Sequence, residues 1–328
     1  VYKRQIKYNA DSNGGNISFK VDRSSIRQGN AVIAIKDVSD AILWSWHVWV
    51  TDEDINNVIE ITNHQNVKYN FMPVNLGQCD GNTITYEERS CKVKFIAGDQ
   101  SKEITIKQLA NVIATGSNAP FYQWGRKDPL YPSNGMGNTT KIWYDKEGIP
   151  STANPMKGTF SAGNDCIKNC ILNPNLMHNR YNGDYTYYNL WSADNKTTSA
   201  NDNPVNKTIY DPCPVGFKLP ASNAFTGFTT TGESVSSSTQ VNGTWSSSEK
   251  GWYFYTNSEK TQSIFFPALG YRSYSTMRPG SIGTQGCFWS AHPVAKGNNY
   301  YLRTSSVDVQ PTYMVDRGFG YALRPCQD

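Results

Sequence analysis

Seven cysteines and four histidines are the residues of this 328-residue chain that could do chemistry. Cys213 stands out, in "YDPCPVGFKLP" (residues 210–220), because prolines flank it. Pro212 and Pro214 fix φ and deny helix, and Gly216 allows a turn, so the thiol sits in a stiff extended loop. A nucleophilic thiol needs a base and a lowered pKa, whereas a stiff loop suits a structural bridge. Cys326, in "YALRPCQD", ends the final strand, and we expect Cys213 to pair with it. Cys79 and Cys91 flank "DGNTITYEERS", which reads as a hairpin turning at Asp80-Gly81 and predicts a bridge across its base. Cys166 and Cys170, in "NDCIKNCILNP", are four apart on a short helical stretch. That spacing is poor geometry for a bridge, so both are expected as free, partly buried thiols. Cys287 in "GCFW" reads as a small buried residue. His47 lies inside a tryptophan-rich strand and reads as a hydrogen-bonded histidine, while His64 and His178 have no ligand-spaced companions. Neither "HExxH" nor paired "CxxC" occurs, so no metal and no cofactor are expected.

The elements that must position these residues are mostly strands. "NISFKVD" alternates Ile17, Phe19 and Val21, and "NAVIAIKD" is a short apolar run that suits a more fully buried strand. "ILWSWHVWVTD" puts Trp44, Trp46, Val48 and Val50 on one face and Leu43, His47 and Trp49 on the other, so both faces are expected to be covered. From about residue 110 to 240 the chain is rich in Gly, Pro, Asn, Ser and Thr. Trp124, Trp143, Tyr187, Trp191 and Tyr210 recur through it, which predicts ordered loops pinned by aromatics. Strands return in "GWYFYT", "SIFFPALGYR", "GCFWSAH", "NNYYLRTSS" and "GYALRPC". No repeat of 20 to 50 residues is present, against a solenoid or propeller.

Composition narrows the function classes. Charged residues are only 18% of the chain, against roughly 25% in ordinary soluble domains, while aromatics reach 13%. The surface must be built largely from Asn, Ser, Thr, Gly and Tyr, as in secreted binding surfaces. A net charge of +4 from interspersed charges leaves no footprint for nucleic acid or an anionic membrane. No apolar run approaches the roughly 20 residues of a membrane span. The opening "VYKRQIKYNADSNGG" has no signal-peptide h-region, so either an export signal is expected to have been removed or the sequence begins after one.

Six segments, "VKYNFMPVNLG", "FYQWGRKDP", "YDPCPVGFKLPASNAFTGF", "FFPALGYRS", "GCFWSAH" and "GFGYALRPC", occur in this order. In that order they resemble C-type-lectin-like domains of bacterial surface proteins. The chain looks most like the C-terminal ligand-binding module of fimbrillin-type tip adhesins of type V pili. Related folds include the hypervariable proteins of diversity-generating retroelements and the formylglycine-generating enzyme. The resemblance implies an α+β, strand- and loop-rich fold, with residues 1–29 a β extension or the end of a preceding pilin-like domain and 30–328 the lectin-like domain. It makes scaffold of Cys213, Pro214, Leu219, Pro220, Phe288, Trp289, Ser290, Leu323, Arg324 and Cys326. The calcium-lectin signatures "EPN", "QPD" and "WND" are absent, with "NPN" at Asn173–Asn175 the nearest.

By that resemblance the segment before the last strand displays the ligand-facing side chains. Here it mixes Tyr, Arg and small polar groups, types enriched at binding hot spots and paratopes. With the "GYRSYSTMRPGS" loop, it gives Arg272, Tyr274, Arg278, His292, Tyr300, Arg303, Gln310, Tyr313 and Asp316 as contact candidates. The function implied is non-catalytic adhesion at a cell surface or pilus tip, to a protein or glycan, with other pilin subunits as further partners. The alternatives are a formylglycine-generating type of oxidase, which needs two cooperating cysteines, and a structural pilin that polymerises by strand donation.

Overall fold

In a computed structural model of the chain, the described residues are 6–9, 16–80, 83–114, 119–130, 143–144, 150–151, 163–178, 189–193, 197–294 and 297–328. They form small antiparallel sheets, with 42% strand and 9% helix. The described residues are therefore all-β, which corrects the α+β expectation. An α+β fold needs helices segregated against a sheet. Among the described residues the one α-helix is Gly163–Leu172, supplemented by three short 3-10 segments. The turn-rich middle is held by aromatics instead, as where Trp124 and Trp191 are fully buried with ring centroids 5.4 Å apart. Tyr187 lies outside the described residues.

The central sheet is built from Gly286–Pro293, Asn298–Thr304 and Val309–Asp316, paired in that order. Every residue of Gly286–Pro293 is buried. Side chains alternate across a strand, so a run apolar on both faces can separate two cores. Phe288 and Leu302 join one core with Phe71, Phe225, Phe228, Phe254 and Phe266. Trp289 and Tyr301 join the other with Tyr122, Trp124, Trp191 and Leu323. Phe228 and Phe254 stack with centroids 4.0 Å apart, while Phe266 meets Phe228 and Phe288 edge-on. Such offset and edge-to-face pairs add about 0.5–1.5 kcal/mol each beyond burial.

Late residues close the structure onto early ones. Cys326–Gln327 pairs with Phe217–Lys218, and Cys326 also faces Phe71 in the strand Lys68–Phe71. Arg324, fully buried just before that strand, donates to Asn75 Oδ1 at 2.7 Å and to the carbonyls of Met72, Pro73 and Phe265. Its guanidinium also lies 4.4 Å from the centroid of the Phe266 ring.

The cysteines correct the expected bridges: no disulfide joins any two of the seven. The Cys213 loop is latched by polar groups instead. Asp211 accepts from the Cys213 N–H at 2.8 Å and the Leu219 N–H at 3.1 Å. Lys207 Nζ donates to the carbonyls of Cys213, Pro214 and Phe217. Cys79 and Cys91 do not flank one hairpin, because Thr83–Tyr86 pairs with Asn111–Ala114 and Arg89–Ala97 pairs with Gln100–Gln108. Cys79 Sγ accepts from Asn30 Nδ2 at 3.4 Å, whereas Cys91 is exposed.

Two hairpins are less covered than their apolar runs suggest. Gly29–Lys36 and Ile42–Val50 pair antiparallel, yet Val32, Leu43 and Trp46 stay exposed. This hairpin is tied down at points, where Asn30 donates to the Gly77 carbonyl, Trp49 donates to the Gln78 carbonyl and Ser45 donates to Asp128. The Arg89–Gln108 hairpin turns at Gly98, whose φ of 60° suits the first central position of a type II′ turn. Its register puts Cys91, Val93, Phe95, Ile104 and Ile106 on one face, and Phe95, Ile104 and Ile106 remain exposed.

Candidate functional site

The two segments expected to display ligand contacts come together through a residue that was not singled out. Tyr271–Arg272 pairs with Pro279–Gly280, and Arg272 also faces Gly320. The Phe319 ring lies 4.9 Å from that of Tyr274 and 5.5 Å from that of Tyr271, edge-on to both. It stacks at 5.8 Å on Tyr321, which in turn meets Trp289 at 4.4 Å and Tyr301 at 4.6 Å. Tyr301 meets Tyr313 across the strand pair at 5.7 Å, and the Arg303 guanidinium lies 5.9 Å from the Tyr313 ring centroid. An aromatic ribbon thus runs from the Tyr274 loop to the last hairpin, rooted in the Trp289 core. Phe319 stands in "DRGFGY", where two glycines around an aromatic are the signal that could have found it.

At the far end, Arg303 is positioned by a salt bridge to Asp308 at 3.2 Å and a hydrogen bond to Gln310 at 3.1 Å. Tyr313 is 46% exposed and the neighbouring Met314 is 51% exposed. Asp316 accepts from the Gly318 N–H at 2.7 Å, which shapes the turn that carries Phe319. Burial raises the phenols of Tyr301 and Tyr321, so both keep their protons at neutral pH.

Six of the expected contacts, Tyr274, Arg278, Arg303, Gln310, Tyr313 and Asp316, are at least partly accessible. Three are not, and these are corrections. Arg272 is fully buried, donating to the Met277 carbonyl at 2.8 Å and lying over Phe121, so it holds the loop from inside. His292 is fully buried on the central strand, where its Nδ1 accepts from the Ser222 N–H at 3.2 Å. Burial lowers its pKa to about 4. Tyr300 is 9% exposed, with its hydroxyl donating to the Thr198 carbonyl at 3.3 Å.

The chain matches no protein-family model, no curated protein and no solved structure. Function therefore has to be argued from the ribbon itself. The groups along it supply flat apolar area, hydroxyl donors and one fixed guanidinium. That set can stack on a sugar ring or a side chain and hydrogen-bond its rim. It holds no base beside a nucleophile.

The other expected chemistry lies in scaffold surroundings. His47 is held between the Tyr122 hydroxyl, 2.9 Å from Nδ1, and Asn30 Oδ1, 2.8 Å from Nε2. Burial lowers its pKa to about 4, against an opposing pull from Asp128. Cys287 is buried, and burial pushes its thiol up to about 12. In the "NPN" segment, the Pro174 carbonyl accepts from Arg126 at 2.7 Å, so this stretch serves as wall. Among the described residues no group of three or more His, Cys, Asp or Glu is placed to hold a metal ion, and no helix is long and apolar enough to cross a membrane.

Proposed function

We propose that this chain is an extracellular, non-catalytic ligand-binding module that recognises a protein or glycan, at a cell surface or pilus tip. The observation that carries the reading is the aromatic ribbon from Tyr274 to Tyr313, with accessible ends and a buried root. Rigid aromatic area with few rotamers loses little entropy on binding, and a guanidinium pre-set by Asp308 and Gln310 loses less than a free one. The resemblance of the six sequence segments to lectin-like modules of pilus tip adhesins supports the same reading and suggests the location and the partner class. The revised contact set is Tyr274, Arg278, Arg303, Gln310, Tyr313 and Asp316, joined by Phe319 and Met314. Cys287, protonated at neutral pH, is a poor member of the thiol pair that an oxidase reading requires.

The test is a glycan and surface-protein array probed with this chain and with the Tyr313→Ala and Tyr274→Ala variants. Hits that the wild type gives and both variants lose, at unchanged melting temperature, support the reading. Hits that both variants retain would place recognition elsewhere.

A further inference from the structure

The hairpin Arg89–Gln108 is an unpartnered piece of sheet. Among the described residues, Arg89–Ala97 and Gln100–Gln108 pair only with each other, and every residue of Gln100–Gln108 is exposed. Two strands alone are marginal in water, and an open edge is a template for a further strand. The register fixes which backbone groups that edge offers. Ala97 and Gln100 flank the two-residue turn Gly98-Asp99 and form a hydrogen-bonded pair, so bonded pairs recur at 95–102, 93–104 and 91–106. The N–H and C=O groups of Ser101, Glu103, Thr105 and Lys107 therefore point outward.

We propose that Gln100–Gln108 is a self-pairing edge whose partner is a second copy of this chain, joined antiparallel about Thr105 into a four-stranded sheet. The run Glu103-Ile104-Thr105-Ile106-Lys107 is its own complement when reversed. About a twofold at Thr105, Glu103 faces Lys107 of the second copy and Ile104 faces its Ile106, each contact occurring twice, while the two Thr105 residues meet on the axis.

The competing registers are worse. Outward groups oppose outward groups only when the twofold passes through a residue position. Centring it on 103 or 107 sets glutamate against glutamate or lysine against lysine, and centring it on 104 or 106 sets neither charge against its opposite. The hairpin's other edge is closed to the same move, because self-pairing of Arg89–Ala97 about 92, 93 or 94 puts lysine against lysine. Glu103 Oε1 already meets Lys92 Nζ of its own hairpin at 2.9 Å. That pair is well exposed and therefore weak, and it leaves Oε2 for the second copy's Lys107. Ile104 and Ile106, both exposed, each gain an isoleucine neighbour. A nine-residue edge buries less than the roughly 1,200 Å² of a standard interface, so the dimer is a weak, concentration-dependent one.

Sedimentation velocity of the intact chain at concentrations up to about 1 mM should show a monomer–dimer equilibrium. Glu103→Lys and Lys107→Glu each set like charges opposite one another at both 103–107 contacts, and each should raise the dissociation constant about tenfold or more. Mixed in equal amounts, the two variants should associate nearly as well as wild type, because every 103–107 contact then joins opposite charges. In a Cys91→Ser background, Thr105→Cys should cross-link to a dimer on mild oxidation, since facing Cα atoms of a bonded antiparallel pair lie about 5.5 Å apart. Lys92→Cys should not, because its counterpart lies three strand spacings away, about 14 Å. A wild type that stays monomeric overturns the proposal, as does a mixture no tighter than either variant alone. Growth beyond the dimer also overturns it, since that requires two different edges to pair. Wild-type sedimentation decides even if a variant does not fold.

Discussion

Arg303 lies over the ring of Tyr313, and the two residues are held from different directions. Arg303 is fixed by Asp308 and Gln310, and Tyr313 by the edge of Tyr301. Because Tyr313 is 46% exposed, its removal opens little of the core. Tyr313→Ala should therefore weaken binding to an array-identified ligand by about 1–4 kcal/mol while shifting the melting temperature little. Isothermal titration beside thermal melts checks both halves. Tyr300→Ala should do the reverse and lower the melting temperature, because that ring is 9% exposed.

The Cys213 loop offers a second test. With Asp211 satisfying two backbone N–H groups, Asp211→Ala should cost about 1–3 kcal/mol by leaving both unpaired. Non-reducing peptide maps should find Cys213 and Cys326 unlinked. Urea melts of Asp211→Ala and Cys213→Ala that ranked cysteine as the costlier loss, together with a linked peptide, would restore the bridge.

Arg324 ties four acceptors from two distant stretches of the chain to one buried guanidinium. Arg324→Met keeps much of the volume but leaves the carbonyls of Met72, Pro73 and Phe265 without this donor. A loss of about 3–5 kcal/mol is expected in chemical denaturation.

Acid should destabilise the protein before the carboxylates titrate. His47 and His292 both have folded pKa values of about 4, depressed by burial, against about 6.5 unfolded. Between these values the unfolded chain binds more protons. Stability is thus full above pH 6.5 and falls as pH drops toward 4, by about 1.4 kcal/mol per unit for each histidine. Melting curves at pH 7.5 and 5.0 check the slope, and His292→Asn should roughly halve it. A flat profile would refute the buried, neutral assignment.

Much of this was legible in the sequence where one signal decides. "GCFWSAH" alternates apolar groups on both faces, and its strand is buried on both. The same rule overstated "NAVIAIKD", since covering a strand depends on what packs against it and Val32 stays 40% exposed. The pairing of 83–86 with 111–114 around an inserted hairpin was illegible, because a local turn signal at Asp80-Gly81 carries no information about a partner 25 residues on. Within the site, residue type could not rank Arg272, His292 and Tyr300, which are buried, against their accessible neighbours. Whether a side chain at a given register points to water is set by bulges such as the shift between Tyr301 and Arg303.

The small strand Cys326–Gln327 bears on the order of events during synthesis. It pairs with both Phe217–Lys218 and Phe71, so three regions separated by more than a hundred residues each must meet at one place. A ribosome that has made everything up to the central sheet still holds back the segment that joins Arg324 to Met72 and Pro73. Both cores then wait with an unsealed edge until Cys326–Gln327 emerges. Sealing the cores is therefore a late, slow and non-local step, with a window in which a holding chaperone has something to hold.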